Sequence, residues 1–272
     1  LSVLQKVFGI QLEQNGTLLV FAAIFGFGGS IISLLMSKTM AKMSTRAHVI
    51  DQPRNEVEHW LFSTVQRQAQ QVGIRMPEVA IYDAPEINAF ATGATRNSSL
   101  VAVSTGLLRA MDRDEAEAVL GHEMSHVANG DMVTMALIQG VLNTFVIFLA
   151  RVVGRSIDAA LSGGRDDRSG PSFFYYIIVG VLDMVFGLFA SMIAMAFSRW
   201  REFRADAGGA RLAGREKMIA ALERLSLNHG QSTLPDQIRA FGISGGIAHG
   251  LRRLLMSHPP LAERIEVLRR GA

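Results

Sequence analysis

Cysteine is absent from the 272 residues, which excludes a disulfide framework and restricts any metal site to His, Asp and Glu donors. Charge is scarce too: Asp, Glu, Lys and Arg make up 19% of the chain against 49% hydrophobic residues. Average globular chains carry about 25% charged residues, so the apolar excess must either fill a core or be gathered into spans. A strong charge of one sign is also missing, since the net charge is only +3. No basic run is interleaved with aromatics, so a nucleic-acid partner has no support. There is no internal repeat and no long low-complexity tract.

The apolar residues are gathered. Residues 17–37 carry no charge and include the cluster Gly26-Phe27-Gly28-Gly29-Ser30, suited to close helix packing. Residues 132–150 are uncharged and end at Arg151, and residues 173–198 carry one charge, Asp183, before Arg199. Each stretch reaches the ~18–20 residues that cross a bilayer. For the last two, burial as helices in a large soluble core is the alternative. The first is too long for a signal peptide and lacks its basic start. Within a span Asp183 is costly and needs a partner; Asn143 or Gln139 of the neighbouring span is expected. Most Lys and Arg lie in residues 38–131 and 198–272, with only Arg155, Arg165 and Arg168 between the second and third spans. The positive-inside rule makes the basic face cytoplasmic.

The polar regions have their own periodicities. Residues 54–73 read as an amphipathic helix through Val57, Trp60, Leu61, Val65, Ala69 and Val72. Residues 79–82 and 100–103 read as strands, with a short strand and turn at Asn88-Ala89-Phe90-Ala91-Thr92-Gly93 between them. Residues 202–212, 215–228 and 262–270 read as helices.

The segment Gly121-His122-Glu123-Met124-Ser125-His126 contains HExxH. Asp112 with Glu115 forms a capping-box pattern ahead of it, and Asn129-Gly130 is a helix stop behind it. Residues four apart share a helix face, so both imidazoles can reach one cation, with Glu123 beside it as a base for the attacking water. Two imidazoles leave the site incomplete, because catalytic zinc usually has three protein ligands. The remaining histidines are His48, His59, His229, His249 and His258; a carboxylate is the other option. Glu202 is the best candidate, with Asp206 one turn on to hydrogen-bond a ligand imidazole. Taken alone, that acidic pair reads equally as a solvated helix face. His258-Pro259-Pro260 reads locally as a turn before a helix, and Arg264 as a surface residue.

The order of these features resembles the HtpX-type membrane metalloproteases, whose distant relatives are the CAAX prenyl endopeptidases. The resemblance runs through residues 25–30, 87–93, 122–131, 197–206 and 258–265, nearly the whole chain. It implies a mainly α integral membrane protein with a small α+β zincin-like cytoplasmic metalloprotease domain. It implies one zinc ion per chain on His122, His126 and Glu202, with Glu123 as general base. By the same resemblance Asn88, Ala89 and Phe90 hold the substrate backbone, and His258 and Arg264 stabilise the oxyanion. The implied activity is proteolysis of misfolded or damaged membrane proteins at the cytoplasmic face of a bacterial inner membrane, with polypeptide substrates and the lipid bilayer as partners.

The expected organisation has a remnant or loop of a preceding hydrophobic segment at 1–16 and a span at 17–37. A first catalytic part follows at 38–131, a span at 132–153 and a short periplasmic connection at 154–172. A span at 173–198 and a second catalytic part at 199–272 complete it. Two rival readings are a scaffold that keeps metal without turnover and a transporter that moves it. Glu123 argues against the first, and three spans with a large polar region make a poor pathway for the second.

Overall fold

The computed structural model describes residues 12–161, 172–228 and 256–271. Residues 1–11, most of the 154–172 connection, His229 and His249 lie outside the described residues. The chain divides into two compact units, one of residues 1–33 and 135–194, the other of residues 34–134 and 195–272.

The first unit is helical. Helix α1 (Leu12–Thr45), helix α5 (Asp131–Leu161) and helix α6 (Phe173–Ala213) contribute to it, and among the described residues these are the three helices long and apolar enough to cross a membrane. Glycines set their spacing: a side chain at Gly26 would run into the backbone of Thr144, and one at Gly140 into the ring of Phe27. Small residues at such crossings let helices approach where no hydrophobic drive exists between them. Val20, Ile24, Phe25, Phe145, Phe189 and Ile193 face outward, as a surface surrounded by lipid requires. Asp183 does not meet Asn143 or Gln139. Those two bond each other, Gln139 Nε2 donating to Asn143 Oδ1 at 2.8 Å, and Asp183 faces Arg151 Nη1 at 3.4 Å. The long guanidinium arm reaches what the shorter amides do not.

The second unit carries the sheet. Helix α2 (Glu56–Val72) starts at Asn55, whose side chain accepts from the Glu58 N–H, and stops at Gly73 in the left-handed region. Strands β1 (His48–Val49), β2 (Glu78–Tyr82), β3 (Ala89–Thr95) and β4 (Ser98–Ser104) form a sheet in the order β1-β2-β4-β3. β2 and β4 run parallel; the outer pairs are antiparallel. Val79, Val101 and Val103 pack with Leu61, Val65, Leu120 and Met124, while Ala80, Tyr82, Leu100 and Ala102 form a separate cluster. This alternation is the two-residue period of a strand buried on both sides. β3 is an edge strand.

Helix α3 (Thr105–Ala110) leads into helix α4 (Arg113–Asn129). The capping box is present: Asp112 Oδ1 accepts from the Glu115 N–H, and Glu115 Oε2 from the Asp112 N–H. Gly130, at φ +69°, ends α4, and α5 begins at the next residue. α6 runs unbroken through Glu202 to Ala213, where sequence periodicity read a span and a separate helix. Helix α7 (Arg215–Asn228) and helix α8 (Leu261–Arg270) complete the unit.

Candidate metal centre

The 3.6-residue period of α4 stacks His122 on His126, and the two Nε2 atoms face each other at 3.1 Å. Glu202 of α6 comes in from the side, Oε1 lying 3.3 Å from His126 Nε2 and Oε2 3.7 Å from His122 Nε2. Among the described residues this trio is the group of His, Asp and Glu that could hold a metal ion.

The outward nitrogens explain why the inward ones are free. His122 Nδ1 lies 2.9 Å from Asp206 Oδ1, and His126 Nδ1 lies 2.6 Å from Asp131 Oδ2. An ionised carboxylate only accepts, so each Nδ1 carries the hydrogen and each Nε2 is left with a lone pair. Two lone pairs and a carboxylate oxygen converging on one point need a positive charge between them. A proton on one Nε2 is one such charge. Burial alone would lower the His126 imidazole, but hydrogen bonds to Asp131 and Glu202 carry it up to about 9. Burial would likewise raise the Glu202 carboxyl, yet its bonds to His126 and His258 hold it well below the usual carboxylate range.

A divalent ion fits better. At ~2.0–2.2 Å from each donor, tetrahedral coordination places ligand atoms about 3.3–3.6 Å apart, against 3.1 Å between the two Nε2 atoms and 3.3 and 3.7 Å from these to the two oxygens of Glu202. The charge also fits: Glu123, Asp131, Glu202 and Asp206 face Arg201 and Arg264, so the formal charge around the site is short by that of one divalent cation.

The remaining expected residues lie around this core. Glu123 is half-buried and lines a cleft of about 640 Å³ with His122, Glu202, Asn88, Ala89 and His258. His258, largely exposed, sets Nδ1 2.7 Å from Glu202 Oε2. Arg264 is only 6% exposed and makes a two-pronged contact to Asp206: Nε donates to Oδ2 at 2.7 Å and Nη2 to Oδ1 at 2.6 Å. Its Nη1 lies 3.3 Å from Glu202 Oε2. Phe90 is set apart, its ring against Tyr82.

Sequence reasoning missed two supports. Asp131 follows the helix stop, and its partner His126 is across the joint; an acid directly after Asn-Gly was the available signal. Ser104, fully buried, donates to the Glu86 carbonyl and accepts from the Asn88 and Leu107 N–H groups, which fixes the approach to β3.

Glycines let α4 and α6 come this close. Gly121 would touch Gly209 if it carried a Cβ, and a Cβ on Gly208 would lie 2.7 Å from the Cβ of Ser125. Gly208→Val should therefore force the helices apart, lowering stability by about 1–3 kcal/mol and releasing metal more readily. Thermal unfolding and zinc retention check it; wild-type values in both would refute the crossing argument.

An HExxH helix met by a carboxylate from a second helix, with Glu123 in the adjoining cleft, is the arrangement of a metalloendopeptidase. The comparisons agree. The model of peptidase family M48 matches residues 55–272. Protease HtpX of Xanthomonas oryzae pv. oryzae is 73% identical over 267 residues, which are 98% of this chain and 91% of the relative. Protease HtpX of Xanthomonas axonopodis pv. citri is 71% identical over the same length. The crystal structure of S. mikatae Ste24p superposes with a TM-score of 0.67 at 18% identity, covering 98% of this chain and 64% of that one. The chain belongs to peptidase family M48.

Proposed function

We propose that this endopeptidase uses zinc to hydrolyse peptide bonds of misfolded or damaged membrane proteins at the cytoplasmic face of a bacterial inner membrane. The observation that carries the reading is the convergence of the His122, His126 and Glu202 donors beside Glu123 in one cleft. When bound there, zinc supplies Lewis acidity and lowers the pKa of water toward ~7.

The chain's own residues do the rest. Glu123 takes the proton of the attacking water and delivers it to the leaving amine. Asn88 leads into the edge strand β3, which Ala89 and Phe90 begin, and its free side can pair with an extended peptide through main-chain hydrogen bonds and so accept many sequences. His258 and Arg264 are assigned to the developing oxyanion. The exposure of His258 suits that role, while the bonds of Arg264 to Asp206 and Glu202 give it a further part in holding those carboxylates.

Ile87, Leu225 and Leu261, partly exposed, form an apolar wall of the same cleft, which suits side chains from membrane segments. Three apolar helices and the basic bias of residues 38–131 and 198–272 support a bilayer location with the site on the cytoplasmic side.

The test uses the full chain in detergent. Casein cleavage should vanish with a chelator and return with one equivalent of zinc. In proteoliposomes a destabilised membrane protein should be cut faster than its stable parent. Cleavage that survives metal removal would sink the zinc reading, and equal rates on the two membrane substrates would sink the quality-control reading.

A further inference from the structure

The two ligand imidazoles are braced alike. His122 leans on Asp206, and Asp206 is gripped by Arg264. His126 leans on Asp131, which is only 3% exposed. Arg201, from the turn of α6 that carries Glu202, reaches Asp131. Its Nη1 donates to the Asp131 carbonyl at 3.3 Å and its Nη2 to Ser198 Oγ at 3.3 Å, while its Nε is buried without a partner among the described residues.

The brace matters because Asp131 stands at a joint. Gly130 ends α4 in the left-handed region, and its N–H turns back to the His126 and Val127 carbonyls. The hydrogen-bond ladder of α4 therefore stops short of Asp131, the first residue of α5, and Arg201 adds a tie from that residue to α6. Resting on the metal reading above, we propose that Arg201 is a positioning residue for the metal: by holding the main chain at Asp131 it orients His126, as Arg264 orients His122 through Asp206.

Two physical effects oppose each other here, and their signs differ. Coulomb repulsion between a guanidinium and a nearby divalent ion predicts that removing Arg201 tightens metal binding. Loss of the brace predicts that binding loosens, as removing outer partners of ligand imidazoles does by about 10–100-fold. The positioning role makes the second effect dominate. Arg201→Lys separates them further, because it keeps the charge but cannot span the Asp131 carbonyl and Ser198 as a planar fork does.

The experiment is zinc competition against a chromophoric chelator with the full chain in detergent. Arg201→Met should weaken zinc binding about tenfold or more, and Arg201→Lys should weaken it less but measurably. Combined with Asp131→Asn, Arg201→Met should add little to the single change, whereas with Asp206→Asn the losses should multiply, since only the first pair shares a path. If Arg201→Met does not fold, the Lys variant and its combinations decide. Unchanged or tighter zinc binding in the Arg201 variants, or multiplying losses with Asp131→Asn, would overturn the proposal. A parent that takes up no zinc would overturn the metal reading itself, a distinguishable failure.

Discussion

Glu123→Gln is expected to lower the rate of casein cleavage by about 10²–10⁴-fold, the range that a positioned general base contributes, while leaving zinc content at the parent level. Gln keeps the size of the side chain but removes its capacity to take a proton. Glu123 lies outside the donor trio and faces the cleft, so the metal should not notice the change. The measurement pairs cleavage in detergent with metal analysis of the same sample. Equal cleavage by both proteins would mean that another group is the base or that the activity is foreign. Loss of zinc along with activity would instead make Glu123 part of the binding site.

The second large effect concerns the third donor. Glu202→Ala should strip tightly held zinc, because it removes one of three ligands and leaves two imidazoles facing each other. Asp206→Ala should weaken retention by about 10–100-fold, the usual effect of losing an outer partner of a ligand histidine. That variant also leaves the buried guanidinium of Arg264 without its two-pronged partner, so stability should fall as well. Metal content after dialysis against a mild chelator ranks parent, Asp206→Ala and Glu202→Ala in that order. Equal content in all three would refute the ligand assignment.

Much of this centre was legible in the sequence because it is local. His122 and His126 are four apart, and Asp112 and Gly130 mark the two ends of their helix, so spacing alone put both rings on one face. Glu202 and Asp206 were legible in type but not in place: the same spacing describes any solvated helix face, and only the partner helix distinguishes the two. Asp131, Arg201 and Ser104 act across a joint or between elements, where no period connects them to what they hold. Two elements escaped notice for another reason. Strand β1 has two residues and helix α3 has six, lengths over which periodicity carries little signal. The boundary that hydropathy marks near residue 198 has no helix breaker. The backbone therefore continues through it as part of a 41-residue helix.

By itself the sequence determined the apolar stretches, the helix with its paired imidazoles and neighbouring glutamate, and the restriction of metal donors to nitrogen and oxygen, because each depends on neighbours within a turn or two. The tertiary structure alone decided that the carboxylate 76 positions beyond His126 completes the trio, that Asp131 and Asp206 assign the hydrogens of the two rings, and that Arg264 is buried among carboxylates. Those facts depend on how closely two glycine-bearing helices can cross, and distance in space is what a linear pattern does not encode.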